Sequence, residues 1–267
     1  MPEGDTVHLT ARRMHDALAG EVLTKSDFRV PRYAELDLAG RRVQEVVARG
    51  KHLLVRLDDD LTIHSHFKME GALHLLRPGE HLPGPTHEVR LVLETEGRVA
   101  AGMRLGALDV VPRGREDDVV GPLGPDLLGP DWDAGEAVRR LSAQRDVPVA
   151  TALLDQRNLA GIGNVYKCEL CFLRGLHPLT PVELVPDLPG LVALARRVLW
   201  ANRDHARHVT TGDLRPGRRH WVYGRKARPC LRCGTTIRKD GWGPVGEERV
   251  TYWCPSCQPA HELPLRG

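Results

Sequence analysis

The sequence predicts an α+β protein with more than one domain, and three observations support this. Short runs with strand-like patterns occupy residues 21–112, and helical patterns follow from residue 134. Near the end of the chain, four cysteines form two Cys-x-x-Cys pairs. The 267 residues, 41% hydrophobic and 27% charged, allow one large domain or two modest ones and exclude a disordered chain.

The chain opens with a predicted helix. Val7, Ala11, Met14 and Leu18 recur at spacings of four, three and four, so they share one face, and Gly20 is placed to end the helix. We expect this face to pack on a core.

Strands are predicted for the next ninety residues. Alternating or apolar runs, separated by Gly, Pro and Asp turns, are Arg42–Ala48, His52–Leu57, Leu61–His66, Val89–Leu93 and Ala107–Val111. Asp58, Asp59 and Asp60 connect two of these runs as a hairpin. So many strands without intervening helices indicate an antiparallel sandwich or barrel.

The second half is predicted to be helical, after a linker rich in Gly and Pro within residues 113–131. The candidate helices are Ala134–Ser142, Pro148–Gln156, Asn164–Leu173 and Leu188–Asn202.

The four cysteines near the end predict one structural zinc ion. Cys230 and Cys233 are separated by 20 residues from Cys254 and Cys257, close to the spacing at which two Cys-x-x-Cys pairs complete a tetrahedral site. A disulfide pair or a redox motif is the alternative, but a reducing compartment disfavours the first and the missing βαβ context disfavours the second. Cys168-x-x-Cys171 has no second pair nearby, so we interpret it as two small buried residues.

Positive charge is concentrated in the same region. Residues 201–267 contain 13 Lys and Arg against 6 Asp and Glu, whereas residues 1–200 contain 25 against 29. Such a segment suits a polyanion, although a solvated basic tail is an equal alternative. No apolar run is long enough to cross a bilayer, and no signal peptide opens the chain. We therefore expect a cytoplasmic protein without a membrane partner, and a monomer by default.

A glycine-rich turn precedes one predicted helix. Residues 158–166 read Asn-Leu-Ala-Gly-Ile-Gly-Asn-Val-Tyr. Glycines allow a ligand to approach the backbone, and the N–H groups at a helix start favour an anion such as a phosphate. An ordinary turn between helices is the alternative.

Four motifs in order resemble the formamidopyrimidine-DNA glycosylase/endonuclease VIII family. They are Met1-Pro2-Glu3-Gly4, Gly50-Lys51, Gly161-Ile-Gly-Asn164 and the segment from Arg249 to Gln258. The resemblance spans residues 2–258. It implies an N-terminal helix with an antiparallel β-sandwich, a helix-two-turns-helix domain and a C-terminal zinc ribbon. The predicted boundaries are 1–115 for the catalytic domain, 116–133 for the linker, 134–223 for the helical domain and 224–267 for the ribbon and tail.

Pro2 is the candidate nucleophile. A small second residue generally permits removal of the initiator methionine, which leaves a secondary amine at the chain start. The positive end of the following helix disfavours the ammonium form of this amine. Attack at a deoxyribose C1′ would expel a damaged base and form an iminium that eases elimination of the neighbouring phosphates. The alternative is a helix-starting proline behind a retained Met1.

Glu3 and Lys51 complete the predicted catalytic set. A carboxylate beside the amine can transfer protons to the sugar or the departing base, and it also suits the first turn of a helix. The resemblance gives Lys51 a phosphate or proton-transfer role; on its own, it would be read as a surface lysine.

The resemblance also implies four residues that hold DNA. His66 contacts a phosphate, and Met69 enters the base stack after the damaged base has rotated out. A core methionine is the alternative for Met69. Asn164 and Arg249 form a phosphate clamp around the lesion, for which the forked guanidinium of arginine is suited.

This sequence departs from the family pattern at two places that bear on which damaged base is preferred. The family has a loop that supplies an arginine and a phenylalanine on the side of the opposite strand, and the matching stretch here, Met103–Gly106, departs from it. The resemblance implies that losing the arginine that reads the orphaned base puts recognition of 8-oxoguanine opposite cytosine in doubt. Gly4 resembles the endonuclease VIII branch. Thr6 stands where the family usually carries a second glutamate, so the lesion pocket is expected to be uncharged there.

Together these features predict a bifunctional DNA glycosylase and abasic-site lyase of base excision repair. Its expected partner is damaged DNA, met at the nucleoid, with oxidised pyrimidines preferred; its expected cofactor is one structural zinc, with no redox or nucleotide cofactor. The alternatives are a zinc-dependent DNA-binding protein without catalysis, a glycosylase that prefers 8-oxoguanine or formamidopyrimidine, and a ribosome-associated zinc-ribbon protein. The last leaves the N-terminus and the glycine turn unexplained.

Overall fold

The computed structural model describes residues 2–243 and 248–260. The chain divides into two compact units, Met1–Pro122 and Leu123–Gly267. This division lies inside the predicted linker. The finer boundaries of the predicted domains stay predictions.

The first unit contains a helix and two antiparallel sheets of four strands each. Its elements are α1 (Gly4–Leu18), β1 (Lys25–Phe28), β2 (Val43–Arg49), β3 (His52–Leu57), β4 (Leu61–His66), β5 (Ala72–Leu76), β6 (Val89–Glu94), β7 (Val99–Met103), β8 (Ala107–Pro112) and the short helix α2 (Asp117–Val120). One sheet has the strand order β2-β3-β4-β8 and the other β1-β6-β7-β5. The prediction of an antiparallel sandwich behind an N-terminal helix is confirmed.

A single apolar cluster joins α1 to both sheets. Val7, Met14 and Leu18 of α1 are fully buried in it, together with Leu57 of β3 and Leu93 of β6. The helix therefore packs with the stripe that its spacing predicts. Gly20 has φ +86°, the left-handed conformation that suits glycine after a helix end.

The second unit is helical and ends in a hairpin. Its elements are α3 (Ala134–Ser142), α4 (Val149–Leu154), α5 (Asn164–Leu173), α6 (Leu188–Asn202), β9 (Arg238–Trp242) and β10 (Arg249–Trp253). One apolar cluster joins α3 to α6, and a smaller one joins Phe172 of α5 to Val222, Ile237 and Cys254. Among the described residues, no helix is long and apolar enough to cross a membrane.

The structure corrects the predicted elements in two places. The helix predicted for Pro148–Gln156 ends at Leu154, because the backbone of Asp155 is extended. The side-chain amide of Gln156 then donates to the carbonyls of Leu154 and Ile162. Strands β1, β5 and β7 were not predicted. β1 reads Lys-Ser-Asp-Phe, which is mostly polar, and β7 contains a glycine and is buried at every residue, so neither shows alternation.

Candidate functional site

The start of α1 presents a buried carboxylate next to Pro2. Glu3 is the N-cap residue, and its carbonyl accepts the Val7 N–H at 3.0 Å, whereas its side chain makes no capping hydrogen bond. The Glu3 side chain is nonetheless fully buried, and Pro2 is half-buried. Capping therefore does not account for this glutamate.

Lys51 lies in the two-residue turn between β2 and β3. Arg49 and His52 are the last paired residues before the turn, and Gly50 has φ +57°. A tight hairpin needs a positive φ at its first central residue in the type II′ turn, and glycine adopts it without strain. The side chain of Lys51 is thus fixed at the end of a hairpin whose β2 strand packs against α1.

Three histidines gather beside Lys51 on strands β3 and β4. His52 Nδ1 lies 2.8 Å from His64 Nε2, and the rings of His52 and His66 meet edge to face with centroids 4.8 Å apart. Burial lowers the pKa of His52 to about 3 and that of His66 to about 4, with nearby Lys51 acting in the same direction. Burial also lowers the pKa of His64, against the opposing effect of Asp109. The cluster is uncharged at neutral pH.

Met69 lies on an exposed turn after β4. Its side chain is 61% exposed, so it is not a core methionine. Lys68 before it has φ +50°, and a Cβ on Gly71 would lie 2.4 Å from the Phe67 carbonyl oxygen, so this tight turn requires glycine there. The turn projects an apolar side chain into solvent.

The neighbouring turn carries Arg104, which is already paired. Its Nη1 lies 2.7 Å from Glu88 Oε2, and its Nε donates to the Glu70 carbonyl at 3.4 Å. Arg104 and Glu70, with Met69, line a shallow hollow of about 420 Å³. Arg104 therefore connects the turn that contains Met69 and Glu70 to Glu88.

Asn164 is the first residue of α5, after the glycine turn. Gly161 in that turn has φ +110°, and Gly163 is the N-cap residue. The Asn164 side-chain amide donates to the Val250 carbonyl at 2.7 Å, and its Oδ1 accepts from Lys167 Nζ at 2.7 Å. The glycine turn is thereby joined to strand β10.

Arg249 is the first residue of that same strand. It is exposed and pairs across the hairpin with Trp242. Within the described residues, no carboxylate pairs with its guanidinium. The structure thus brings the strand that carries Arg249 into contact with Asn164, while the guanidinium faces solvent.

The four predicted metal ligands converge. The sulfurs of Cys230, Cys233, Cys254 and Cys257 all lie within 4.8 Å of one another. Two of the separations are 4.0 Å, between Cys230 and Cys257, and 3.4 Å, between Cys233 and Cys254. Four sulfurs about 2.3 Å from a tetrahedral zinc would be about 3.8 Å apart. The cysteines fit a single metal ion and not disulfides, whose sulfurs are about 2 Å apart.

Cys168 and Cys171 are both fully buried in α5, as predicted. Burial raises the pKa of the Cys171 thiol to about 12, so Cys171 is not a reactive thiolate.

Sequence reasoning missed the partners that orient these residues. His52, His64 and Lys167 lie in or next to predicted elements, but their contacts depend on strand register or on a contact between helix and hairpin. His52 directly after Lys51 and the alternation of His64 with His66 were the available signals.

Two parts of the chain match domains of a known family. Residues 1–107 match the formamidopyrimidine-DNA glycosylase N-terminal domain, and residues 123–187 match the formamidopyrimidine-DNA glycosylase H2TH domain. The chain belongs to the formamidopyrimidine-DNA glycosylase/endonuclease VIII family. The resemblance inferred from the four motifs is confirmed.

Two curated relatives are similar over nearly their whole length. Probable endonuclease 8 2 of Streptomyces coelicolor is 56% identical, over 97% of this chain and 94% of the relative. DNA-(apurinic or apyrimidinic site) lyase Nei2 of Mycolicibacterium smegmatis is 52% identical, over 97% of this chain and all of the relative.

Solved structures share the fold. MutM (Fpg) from Thermus thermophilus is 32% identical and superposes with a TM-score of 0.79, covering 96% of this chain and 98% of that one. Lactococcus lactis formamidopyrimidine-DNA glycosylase, bound to DNA containing an abasic site, is 22% identical with a TM-score of 0.82, over 97% of this chain and all of that one. The second likeness concerns the fold alone.

Proposed function

We propose that this chain is a bifunctional DNA glycosylase and abasic-site lyase of base excision repair. The observation that carries the proposal is the start of α1, where Pro2 precedes a fully buried Glu3 that does not cap the helix, in a chain belonging to a family of DNA glycosylases. A relative 52% identical is named as a lyase of abasic sites.

The chemistry starts at the Pro2 nitrogen after Met1 has been removed. Its lone pair attacks C1′ of the damaged nucleotide, the bond between C1′ and the base breaks, and the base leaves with that electron pair and a proton. The nitrogen lone pair then expels O4′ from C1′, O4′ takes up a proton from the Glu3 carboxyl group, and the opened sugar is held as an iminium between Pro2 and C1′. The iminium acidifies the adjacent C2′ protons, so loss of one allows the 3′ phosphate to depart and the strand is nicked.

Glu3 and Lys51 have different roles in these steps. The Glu3 carboxylate, buried at the positive end of α1, stabilises the positive charge that develops on the sugar and transfers protons to or from it. Lys51, fixed by the tight turn after Gly50, holds a phosphate or delivers a proton. The DNA substrate places this activity inside the cell.

Four residues are assigned to DNA binding in this proposal. His66 contacts a phosphate, and the exposed Met69 fills the gap left by the extruded nucleotide. Asn164 at the start of α5 and Arg249 at the start of β10 grip the phosphates around the lesion, the first supported by its bond to β10 and the second by its unpaired guanidinium within the described residues.

The ribbon cysteines hold one zinc ion. Four thiolates in a tetrahedral arrangement are typical of a structural zinc site, which stabilises a segment too small to form a large core. Tyr252 of strand β10 packs against the apolar cluster that contains Cys230 and Cys254, and Arg249 is the first residue of the same strand.

Oxidised pyrimidines are the preferred lesions in this proposal. The loop Met103–Gly106 offers Arg104, whose pairing with Glu88 competes with its use in reading a base on the opposite strand. Thr6 and Gly4 leave the expected lesion pocket without a second carboxylate. A preference for 8-oxoguanine is the competing outcome.

A nicking assay tests the proposal. The wild-type chain is expected to nick duplexes with an abasic site or thymine glycol, and a variant extended by one residue ahead of Pro2 is expected to bind these duplexes but leave them intact. Nicking by the extended variant would exclude the Pro2 amine. Binding without nicking by the wild type would instead favour a DNA-binding protein without catalysis.

A further inference from the structure

The three histidines beside Lys51 form a cluster because of strand register. His64 and His66 are two residues apart on β4, so they project from the same face, and His52 on β3 lies directly opposite His66. The His52 ring stacks on His64 with centroids 5.0 Å apart and meets His66 edge to face at 4.8 Å. His52 thus lies between the other two rings.

The protonation of His66 follows from its hydrogen bond. Its Nδ1 accepts the backbone N–H of Lys68 at 2.9 Å. A ring nitrogen that accepts a hydrogen bond carries no proton, so the neutral ring carries its proton on Nε2. A flipped ring would place a carbon against that N–H, and a fully protonated ring would place two hydrogens face to face.

The charges around His66 favour the same neutral form. Lys51 from the hairpin turn and Lys68 from the following turn are both cationic, and the rings of His64 and His52 lie on the neighbouring strand positions. Burial is the largest cause of the lowered pKa of His66, about 4, and Lys51 is the next. Adding a proton to His66 is therefore unfavourable at pH 6 to 8.

His52 contacts His64 on the side away from His66, and Asp109 lies beyond His64. His52 Nδ1 lies 2.8 Å from His64 Nε2, and His64 Nδ1 lies 3.9 Å from Asp109 Oδ2. Asp109 is fixed in turn by Arg32 at 3.0 Å and by the Tyr33 hydroxyl at 3.4 Å. The Asp109 carboxylate is too far from His64 Nδ1 for a hydrogen bond, but its negative charge favours the neutral form of His64 that carries its proton on Nδ1. In that form His64 Nε2 accepts from His52 Nδ1–H. A ring held in this way gives His66 a fixed surface to pack against.

We propose that His66 contacts DNA as a neutral donor through its Nε2–H, and that His52 is the positioning residue that keeps the His66 ring in this orientation. The inference rests on the proposed function, because it assigns the form in which His66 meets a phosphate. A neutral donor adds a hydrogen bond but no counterion release, so it contributes affinity without salt dependence.

Imidazole ¹⁵N NMR of the full chain without DNA tests the protonation state. The His66 resonances are assigned by their loss in His66→Gln. We expect a protonated Nε2 and an unprotonated Nδ1 from pH 6 to 7.5, and in His52→Ala a mixture of the two neutral forms. A proton on Nδ1 of the wild type in that pH range, in either a neutral or a charged ring, would overturn the inference.

Binding to a duplex with a tetrahydrofuran abasic-site analogue tests the role of His52. We expect His52→Ala and His66→Ala each to weaken binding by about two- to tenfold, the range for one hydrogen bond, and the double variant to lose no more than His66→Ala alone. His52→Phe, which keeps a ring edge, is expected to bind nearly as the wild type does, and exposed His87→Ala serves as the control.

Salt dependence separates a neutral donor from a cation. The slope of log Kd against log salt is expected to be the same for the wild type and His66→Ala; a slope smaller by about one would show a charged His66 and refute the proposal. Additive losses in the double variant would refute the role of His52. Failure of the wild type to bind this duplex would contradict the proposed function, whereas the NMR measurement would still decide the protonation state.

Discussion

Two buried glutamates, Glu116 and Glu169, keep their carboxylates satisfied by different donors. Glu169 accepts the backbone N–H groups of Trp221, Val222 and Tyr223 at 2.7 to 2.9 Å, and also the Thr210 hydroxyl. It thereby orders the segment that leads into the ribbon. A carboxylate with backbone donors is satisfied without a cation.

Glu116 relies instead on a cation. Arg56 donates to its two oxygens at 2.9 and 2.6 Å, and Thr62 donates at 2.5 Å. Burial alone would raise the pKa of Glu116, but the hydrogen bonds from Arg56 and Thr62 outweigh it, so the pKa is lowered from its ordinary value. The ionised form is therefore favoured in the folded state.

Replacing Glu116 tests this at the residue scale. We expect Glu116→Gln to reduce the free energy of unfolding at pH 7 by about 1.5–3 kcal/mol, since a charged hydrogen-bonding group is lost. Because the folded-state pKa is depressed, the contribution is present above the unfolded pKa and disappears as pH falls through the folded one. Urea unfolding at pH 7 and at pH 3.5 should show the difference from wild type shrinking. Exposed Glu35→Gln is the control, and an equal deficit at both pH values would contradict this account.

Arg249 provides a second test at this scale. Since its guanidinium is exposed and has no carboxylate partner among the described residues, Arg249→Ala should weaken binding to abasic-analogue duplex by about 1–3 kcal/mol. Stability should change little. Arg145→Ala, an exposed arginine paired with Glu183, serves as the control. Equal affinity of Arg249→Ala and wild type, measured by fluorescence anisotropy, would remove Arg249 from the clamp.

At the scale of secondary-structure elements, apolar patterns and turn residues predicted most of the helices and two adjacent strands. α1 buries the predicted apolar stripe, α3, α5 and α6 have the predicted bounds, and β3 and β4 have the predicted bounds around the Asp58–Asp60 hairpin. Strands such as β7 carry no alternation because both faces are covered, so their pattern does not differ from that of a short buried helix.

The ribbon is the element whose stability depends on metal. The small apolar cluster around Phe172 and Ile237 includes the ligands Cys230 and Cys254 themselves. Losing the metal would therefore disturb the packing that supports β10, which contributes Tyr252 to this cluster.

Two cysteine variants test this dependence. Cys233→Ser is expected to lower bound zinc from one ion per chain and to reduce DNA affinity, because a tetrahedral site loses one of its four ligands. Cys168→Ala, which removes a buried thiol outside the site, should keep its zinc. The measurements are metal content by mass spectrometry and DNA binding. Full zinc content and normal binding in Cys233→Ser would contradict a structural metal at this site.

For the whole molecule, the sequence predicts the functional residues that belong to recognisable motifs. It does not predict the residues whose contacts depend on strand pairing. Lys51, His66 and the four cysteines belong to motifs readable along the chain, and the structure shows what fixes each. His52 and His64 were not assigned a role, because their importance depends on the pairing of β3 with β4 and on Asp109 from β8. Cross-strand neighbours follow from register, which the local sequence does not specify completely.

The central claim is that the amine of Pro2 forms a covalent bond with the sugar of the damaged nucleotide. Borohydride reduction during incubation with abasic-site DNA, followed by peptide mapping of the adduct, tests it most directly. The account predicts one adduct, on the N-terminal peptide at Pro2. An adduct on Lys51, or none from a protein that binds the same DNA, would contradict it.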